Sequence, residues 1–280
     1  MRISSTGYTF GALVAASAAV SACGMFRGGQ PELEVVTRAH YQPFTATYRG
    51  VSLGRTTQYF DEQPTHTDFA FEYFVNTDLA AAAQGLAATL VLDSIRLFNG
   101  ATGGIMPEQV DSAWGTAFTA NVGRDGRLSD FAGGEDAGPL AREIADRLLR
   151  PFFPIVPDRG VESGDDWSDT TETQMAVNGL DNTIQMISQH SATDWTHQAG
   201  ERALHIITTS NYTFSGTGDQ AGRSFTLEGT GRRHTHRYLS ETGRYLGMVS
   251  ADTSEGEARI TDMEIVIPIN QTHIDSILIR

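Results

Sequence analysis

Gly50-Val51-Ser52-Leu53-Gly54 matches the G-x-S-x-G spacing of a hydrolase nucleophile. That motif works where a strand turns sharply into a helix and lifts the serine above a sheet. Here Arg55-Thr56-Thr57-Gln58-Tyr59-Phe60 follows, β-branched and aromatic, so the stretch reads as a Gly-containing strand with a bend or bulge. In Arg232-Arg233-His234-Thr235-His236-Arg237-Tyr238, an extended chain puts His234 and His236 on one face, where Glu228 or Glu241 could join them around a metal. The three arginines in the same seven residues oppose a cation, and no metal site is assigned. Asp165-Asp166 do not form an acid-base pair, because neighbouring side chains of an extended chain point apart; beside Gly164 they read as a turn. Trp114, Trp167 and Trp195 could line an apolar pocket or belong to the core. No catalytic residue and no cofactor is assigned.

Cys23 is the only cysteine, so no disulfide within the chain can form. Arg2 is the sole charge in the first 26 residues, and Phe10 to Val20 (FGALVAASAAV) is apolar and bounded by Ser21 and Ala22. A positive start, a short apolar middle and a small-residue cleavage site make a secretory signal over 1–22, shorter than the roughly 20 apolar residues of a spanning helix. Val20-Ser21-Ala22-Cys23 resembles the lipobox of bacterial lipoproteins. In that family the cysteine thiol takes a diacylglycerol, the signal is cut before it, and the new amine is acylated, by palmitate for example. Gly24 stands where an Asp would retain many such proteins in the inner membrane, so the resemblance implies a periplasm-facing anchor on the outer membrane, with the lipidated Cys23 and a Gly-rich tether over 23–31.

All 20 basic residues are Arg, which removes Schiff-base chemistry and P-loop phosphate binding, both of which need a Lys amine. A formal charge of −14 repels the phosphates of nucleic acid. The only membrane contact expected is through the lipid.

The elements that must position these residues are mostly strands. Phe69, Phe71, Tyr73 and Val75 alternate with polar neighbours; Leu204, Ile206, Tyr212 and Phe214 repeat the pattern, as do Met263, Ile265, Ile267 and Ile269. Period two with one polar face predicts an antiparallel sheet buried on one side. Turns are expected at Asp125-Gly126, Ala199-Gly200 and Thr242-Gly243, and the two Gly-Arg turns suggest a duplicated unit. Gly138 to Phe153 breaks the rhythm: Leu140, Ile144, Leu148 and Phe152 recur every four residues, Pro139 suits the first turn and Pro151 stops the helix. The Ala-rich run from Asp78 to Ala88 fits either a short helix or a strand connection. One β-rich α+β domain is expected over 32–280, a curved antiparallel sheet of two similar halves packed on one or two helices, with an internal boundary near 152–166.

A DGR hairpin, a helix, Pro154-x-x-Pro157 and Val161-Glu162-Ser163-Gly164-Asp165-Asp166-Trp167, within Thr45 to Ile267, resemble a family of bacterial lipoproteins described only as a domain of unknown function. The resemblance implies a fold like that of the periplasmic lipoprotein carriers and supplies no catalytic residues. The expected function is a lipid-anchored envelope protein that binds an apolar ligand, a lipid or an envelope partner. Leu140, Ile144, Leu148, Phe152 and Trp167 are the candidate ligand-binding residues. The alternatives are a fully packed interaction module without a ligand site and, last, an envelope hydrolase using Ser52 or a metal at His234 and His236.

Overall fold

Among the described residues, long runs of β-branched and aromatic residues at period two form eleven strands: β1 (Phe44–Phe60), β2 (Gln63–Ala81), β3 (Leu86–Thr102), β4 (Thr116–Val122), β5 (Leu128–Gly133), β6 (Asp166–Val177), β7 (Leu180–Gln198), β8 (Glu201–Gln220), β9 (Arg223–Ser240), β10 (Tyr245–Ile260) and β11 (Ile265–Ile279). They make one open antiparallel sheet in the order β5-β4-β3-β2-β1-β11-β10-β9-β8-β7-β6. The computed structural model describes residues 37–280 apart from 84, 103, 104, 135, 178, 179, 221 and 222; the 1–22 signal, Cys23 and the 23–31 tether lie outside the described residues.

Each half is a meander, and the halves meet where the first strand pairs with the last, Ser52 opposite Asp275. The sheet's two edges, β5 and β6, are consecutive in sequence, so residues 134–165 run from one edge to the other across the inward face. Helix α2 (Pro139–Ile144), continued by one π turn (Ala145–Leu149), lies in this crossover where its period predicts it. Helix α1 (Pro107–Ala113), between β3 and β4, was not anticipated; Pro107 at its start and Glu108 in its first turn are its local signals. The Ala-rich run is a hairpin, β2 ending at Ala81 and β3 starting at Leu86. Met263 does not continue the β11 pattern: it sits in a 3-10 turn over Thr261–Met263 and is exposed.

The crossover decides where the core lies. Leu140, Ile144, Leu148 and Leu149 of the α2 segment pack with Phe152, Phe153, Val156 and Val161 onto Tyr48, Tyr73, Val75, Leu90, Leu92 and Phe118 of β1 to β4. From the other half only the strand ends nearest the crossover join in, through Leu204, Ile206, Leu239, Tyr245, Met248 and Ile277. Among the described residues no helix is long and apolar enough to cross a membrane.

Candidate functional site: a polar cavity on the concave face

The core fills only part of the concave face, and the inward side chains change character where cover ends. The strand register arranges them in rows across β1, β11, β10, β9, β8 and β7. Gly50, Ile277, Met248, Arg237, Ile206 and Ala192 form the row beneath the crossover, apolar but for one arginine. Ser52, Asp275, Ser250, Thr235, Thr208 and His190 form the next, and Gly54, His273, Asp252, Arg233, Ser210 and Ser188 the third. On β6, Trp167 and Asp169 extend the second and third rows. These polar side chains face inward at the same period-two positions as the core residues. They bound an open cavity of about 760 Å³ beneath the polar side of the α2 segment, where Glu143, Asp146, Arg147 and Arg150 line it together with Phe153.

Buried hydroxyls and charges stay in a fold when they satisfy one another, since an unpaired one costs roughly 1–3 kcal/mol. Ser188 pairs with Ser210 at 2.9 Å and Thr235 with Ser250 at 3.1 Å. Arg233 Nε donates to Asp252 at 2.7 Å, and the Tyr212 hydroxyl donates to the same carboxylate at 2.6 Å. Burial and that carboxylate push the Tyr212 phenol well above its ordinary range. At the centre, Ser52 Oγ donates to Asp275 at 2.6 Å, and Arg147 donates to Ser52 at 2.9 Å and to Asp275 at 3.1 Å. The π turn carries Arg147 from the crossover onto the sheet, where its guanidinium also lies 5.1 Å from the Phe69 ring.

This geometry places Ser52 inside a strand paired on both sides with no register shift, so neither an elbow nor a bulge is present. The two glycines have a packing cause. A Cβ at Gly50 would enter the Tyr73 ring and one at Gly54 the Phe69 ring, because these aromatics lie flat across the neighbouring strand. Ser52 donates a hydrogen bond to a carboxylate that Arg147 also holds, and no imidazole of the described residues is bonded to it, so the cluster is satisfied internally rather than poised to attack.

His273 lies between Gly54 and Asp252 with its ring 5.2 Å from Phe69 and its Nδ1 buried without a partner. Burial first, and the Arg147 charge second, lower its pKa from 6.5 to about 4. The unfolded chain then binds the extra proton between about pH 6.5 and pH 4 while the folded chain does not, so stability falls as the pH falls through that window. The loss expected from this residue is on the order of 2–3 kcal/mol. Urea midpoints compared at pH 7 and pH 4.5 check it: His273→Asn should flatten the slope, and an unchanged slope would show that His273 is not its source. His205 and His236, also lowered by burial, contribute in the same direction in both chains.

The other sequence candidates fall elsewhere. Leu140, Ile144, Leu148 and Phe152 are at most 3% exposed and sit in the core, not on the cavity wall, because the helix turns its apolar stripe toward β1 to β4 and its charged side toward the cavity. Trp167 is half-buried, stacked on His190 at 5.0 Å, and donates to the Ile155 carbonyl at 3.0 Å, so it supports the cavity from behind. The three tryptophans do not share a pocket: Trp114 is exposed, and Trp195 lies under Arg202 at 4.5 Å. His234 and His236 point to the convex side, where His236 Nδ1 is 2.9 Å from His205 Nε2. Among the described residues no three His, Cys, Asp or Glu side chains are arranged to hold a metal. Asp165 caps a turn, accepting from the Glu162 amide at 3.0 Å and from Arg159 at 2.6 Å. No protein-family model matches this chain, and a search of curated proteins finds no match.

Proposed function

We propose that this chain is a cell-envelope binding protein, anchored by lipid on Cys23 at the periplasmic side of the outer membrane, which holds a hydrophilic ligand in the concave cavity without chemistry on it. The observation that carries the binding reading is the open cavity of about 760 Å³ at the edge of the crossover, within the roughly 300–1,000 Å³ of small-molecule sites. Its floor of hydroxyl, carboxylate, imidazole and guanidinium groups offers hydrogen bonds to a hydrophilic ligand, and Leu128, Phe131, Ile184, Met186, Phe214 and Leu227 line the rest of the cavity with apolar contacts for its body. The anchor rests on the spacing of Val20-Ser21-Ala22-Cys23.

Two measurements test the two halves of this reading. Cells fed labelled palmitate should label the wild-type chain and not Cys23→Ser, which should accumulate as uncleaved or unanchored precursor; equal labelling would refute the anchor. Intact-mass spectrometry of the chain extracted from its own membrane should show noncovalent mass that is lost in Thr171→Trp, where an indole fills the cavity mouth. Bare chain in both would refute binding.

A further inference from the structure

The three arginines rooted in or reaching the inward rows are not equivalent. Arg147 is paired with Asp275 and Arg233 with Asp252, so two of the guanidiniums are neutralised by carboxylates of the same rows. Arg237, alone among the apolar residues of the row beneath the crossover, has no ion-pair partner among the described residues. Its Nη1 donates to the Thr208 hydroxyl at 3.1 Å, a neutral acceptor, and its Nε is buried without any acceptor. Burial lowers its pKa, while the Tyr245 phenol beside its guanidinium, the Tyr41 phenol and the more distant Asp169 carboxylate favour its charge and Arg233 opposes it. A half-buried cation whose nearest carboxylate, Asp169, is not in ion-pair contact costs free energy that chains avoid unless the charge has a use. Arg237 nevertheless lines the cavity, so a molecule inside can reach it.

The groups beside it hold the Thr208 hydroxyl that its Nη1 meets. Thr208 is bonded to His190 Nδ1 at 2.9 Å, and His190 Nε2 to Asp169 Oδ2 at 2.7 Å, with Trp167 stacked behind the imidazole. A hydrogen-bonded line therefore crosses the deep end of the cavity from the guanidinium on β9, which has no ion-pair partner, to the Asp169 carboxylate on β6, and because that carboxylate repels an anion the guanidinium end is where one can sit. The chain's net charge of −14 repels anions at long range, so any anion site must be built locally from such a group.

We infer that the deep end of the cavity is an anion subsite, in which Arg237 receives the carboxylate or phosphate group of a small hydrophilic ligand. The inference rests on the binding reading above and adds the chemical class of what is bound. Guanidinium geometry suits both anions, each able to accept two parallel N–H bonds.

Calorimetric titration of the full chain with inorganic phosphate, and separately with acetate, at fixed ionic strength set by chloride, tests it. At least one anion should bind saturably, and which one does names the ligand's acidic group. Affinity should drop tenfold or more in Arg237→Gln and remain unchanged in Arg55→Gln, which removes an equal charge from an exposed pair with Asp68. Should Arg237→Gln not fold, Thr208→Val keeps the cation but removes the hydroxyl that holds it, and severalfold weaker binding is expected. Binding that survives both Arg237→Gln and Thr208→Val, or two silent anion titrations, overturns the inference. If the titrations are silent while the extracted chain still carries a neutral noncovalent mass, the anion subsite falls and the binding reading stands; if that mass is missing too, both fall.

Discussion

Phe152→Ala should lower the unfolding free energy by about 3–5 kcal/mol, the range for truncating a fully buried aromatic side chain. The ring is fully buried and meets Tyr48 at 5.0 Å, Tyr245 at 5.3 Å and Phe153 at 5.1 Å, all edge to face. Tyr48 belongs to β1 and Tyr245 to β10, so the crossover's aromatic ties the two halves of the sheet together, with Tyr48 also donating to the Tyr245 carbonyl. Three edge-to-face aromatic contacts are lost with the ring, which keeps the cost within that range. Urea unfolding at pH 7 measures it; a loss below about 1.5 kcal/mol would mean that the crossover is not fixed by this ring.

The second large effect is at the polar centre. Asp275→Ala should destabilise the chain by about 3 kcal/mol, because it strands Arg147 and Ser52, whose only shared acceptor is that carboxylate. Arg147 retains 21% exposure of its side chain, so the loss falls at the lower end of the 3–5 kcal/mol typical of a broken buried pair. Adding Arg147→Met to Asp275→Ala should recover a large part of it, since no unpaired charge then remains. A double-mutant cycle reads the coupling, expected at 1 kcal/mol or more; strict additivity would show that the two side chains do not act as a unit.

The two predictions touch the parts of the fold that were, respectively, legible and hidden in the sequence. The four-residue spacing of Leu140, Ile144, Leu148 and Phe152 identified the crossover helix and its buried stripe, and Asp125-Gly126, Ala199-Gly200 and Thr242-Gly243 all turn hairpins. Period-two patterning gave the antiparallel sheet for a general reason: burying one face forces alternation. The same rule hid the cavity. Thr208 and Ser210 lie in phase with Ile206, Tyr212 and Phe214, and Ser250 and Asp252 in phase with Met248, yet a polar residue at an inward position is indistinguishable in sequence from a fault in the pattern. Only the order of the strands places these interruptions side by side, which turns scattered Ser, Thr, Asp and His residues into adjoining rows. The apolar stripe on the helix was legible as a surface needing cover, but whether a ligand or the sheet covers it depends on the crossover's path, and the path puts β1 to β4 against it. Ser52 shows the converse: a motif sharp in sequence is dissolved by its setting, two glycines kept small by the rings of Tyr73 and Phe69.

The most direct test of the account is a crystal structure of the full chain isolated from its own membrane without stripping what it carries. Density for a non-protein molecule is expected between the α2 segment and the polar rows, with an acidic group against Arg237. A cavity holding only water, or one closed by the helix segment settling onto Ser52 and Asp275, would contradict it.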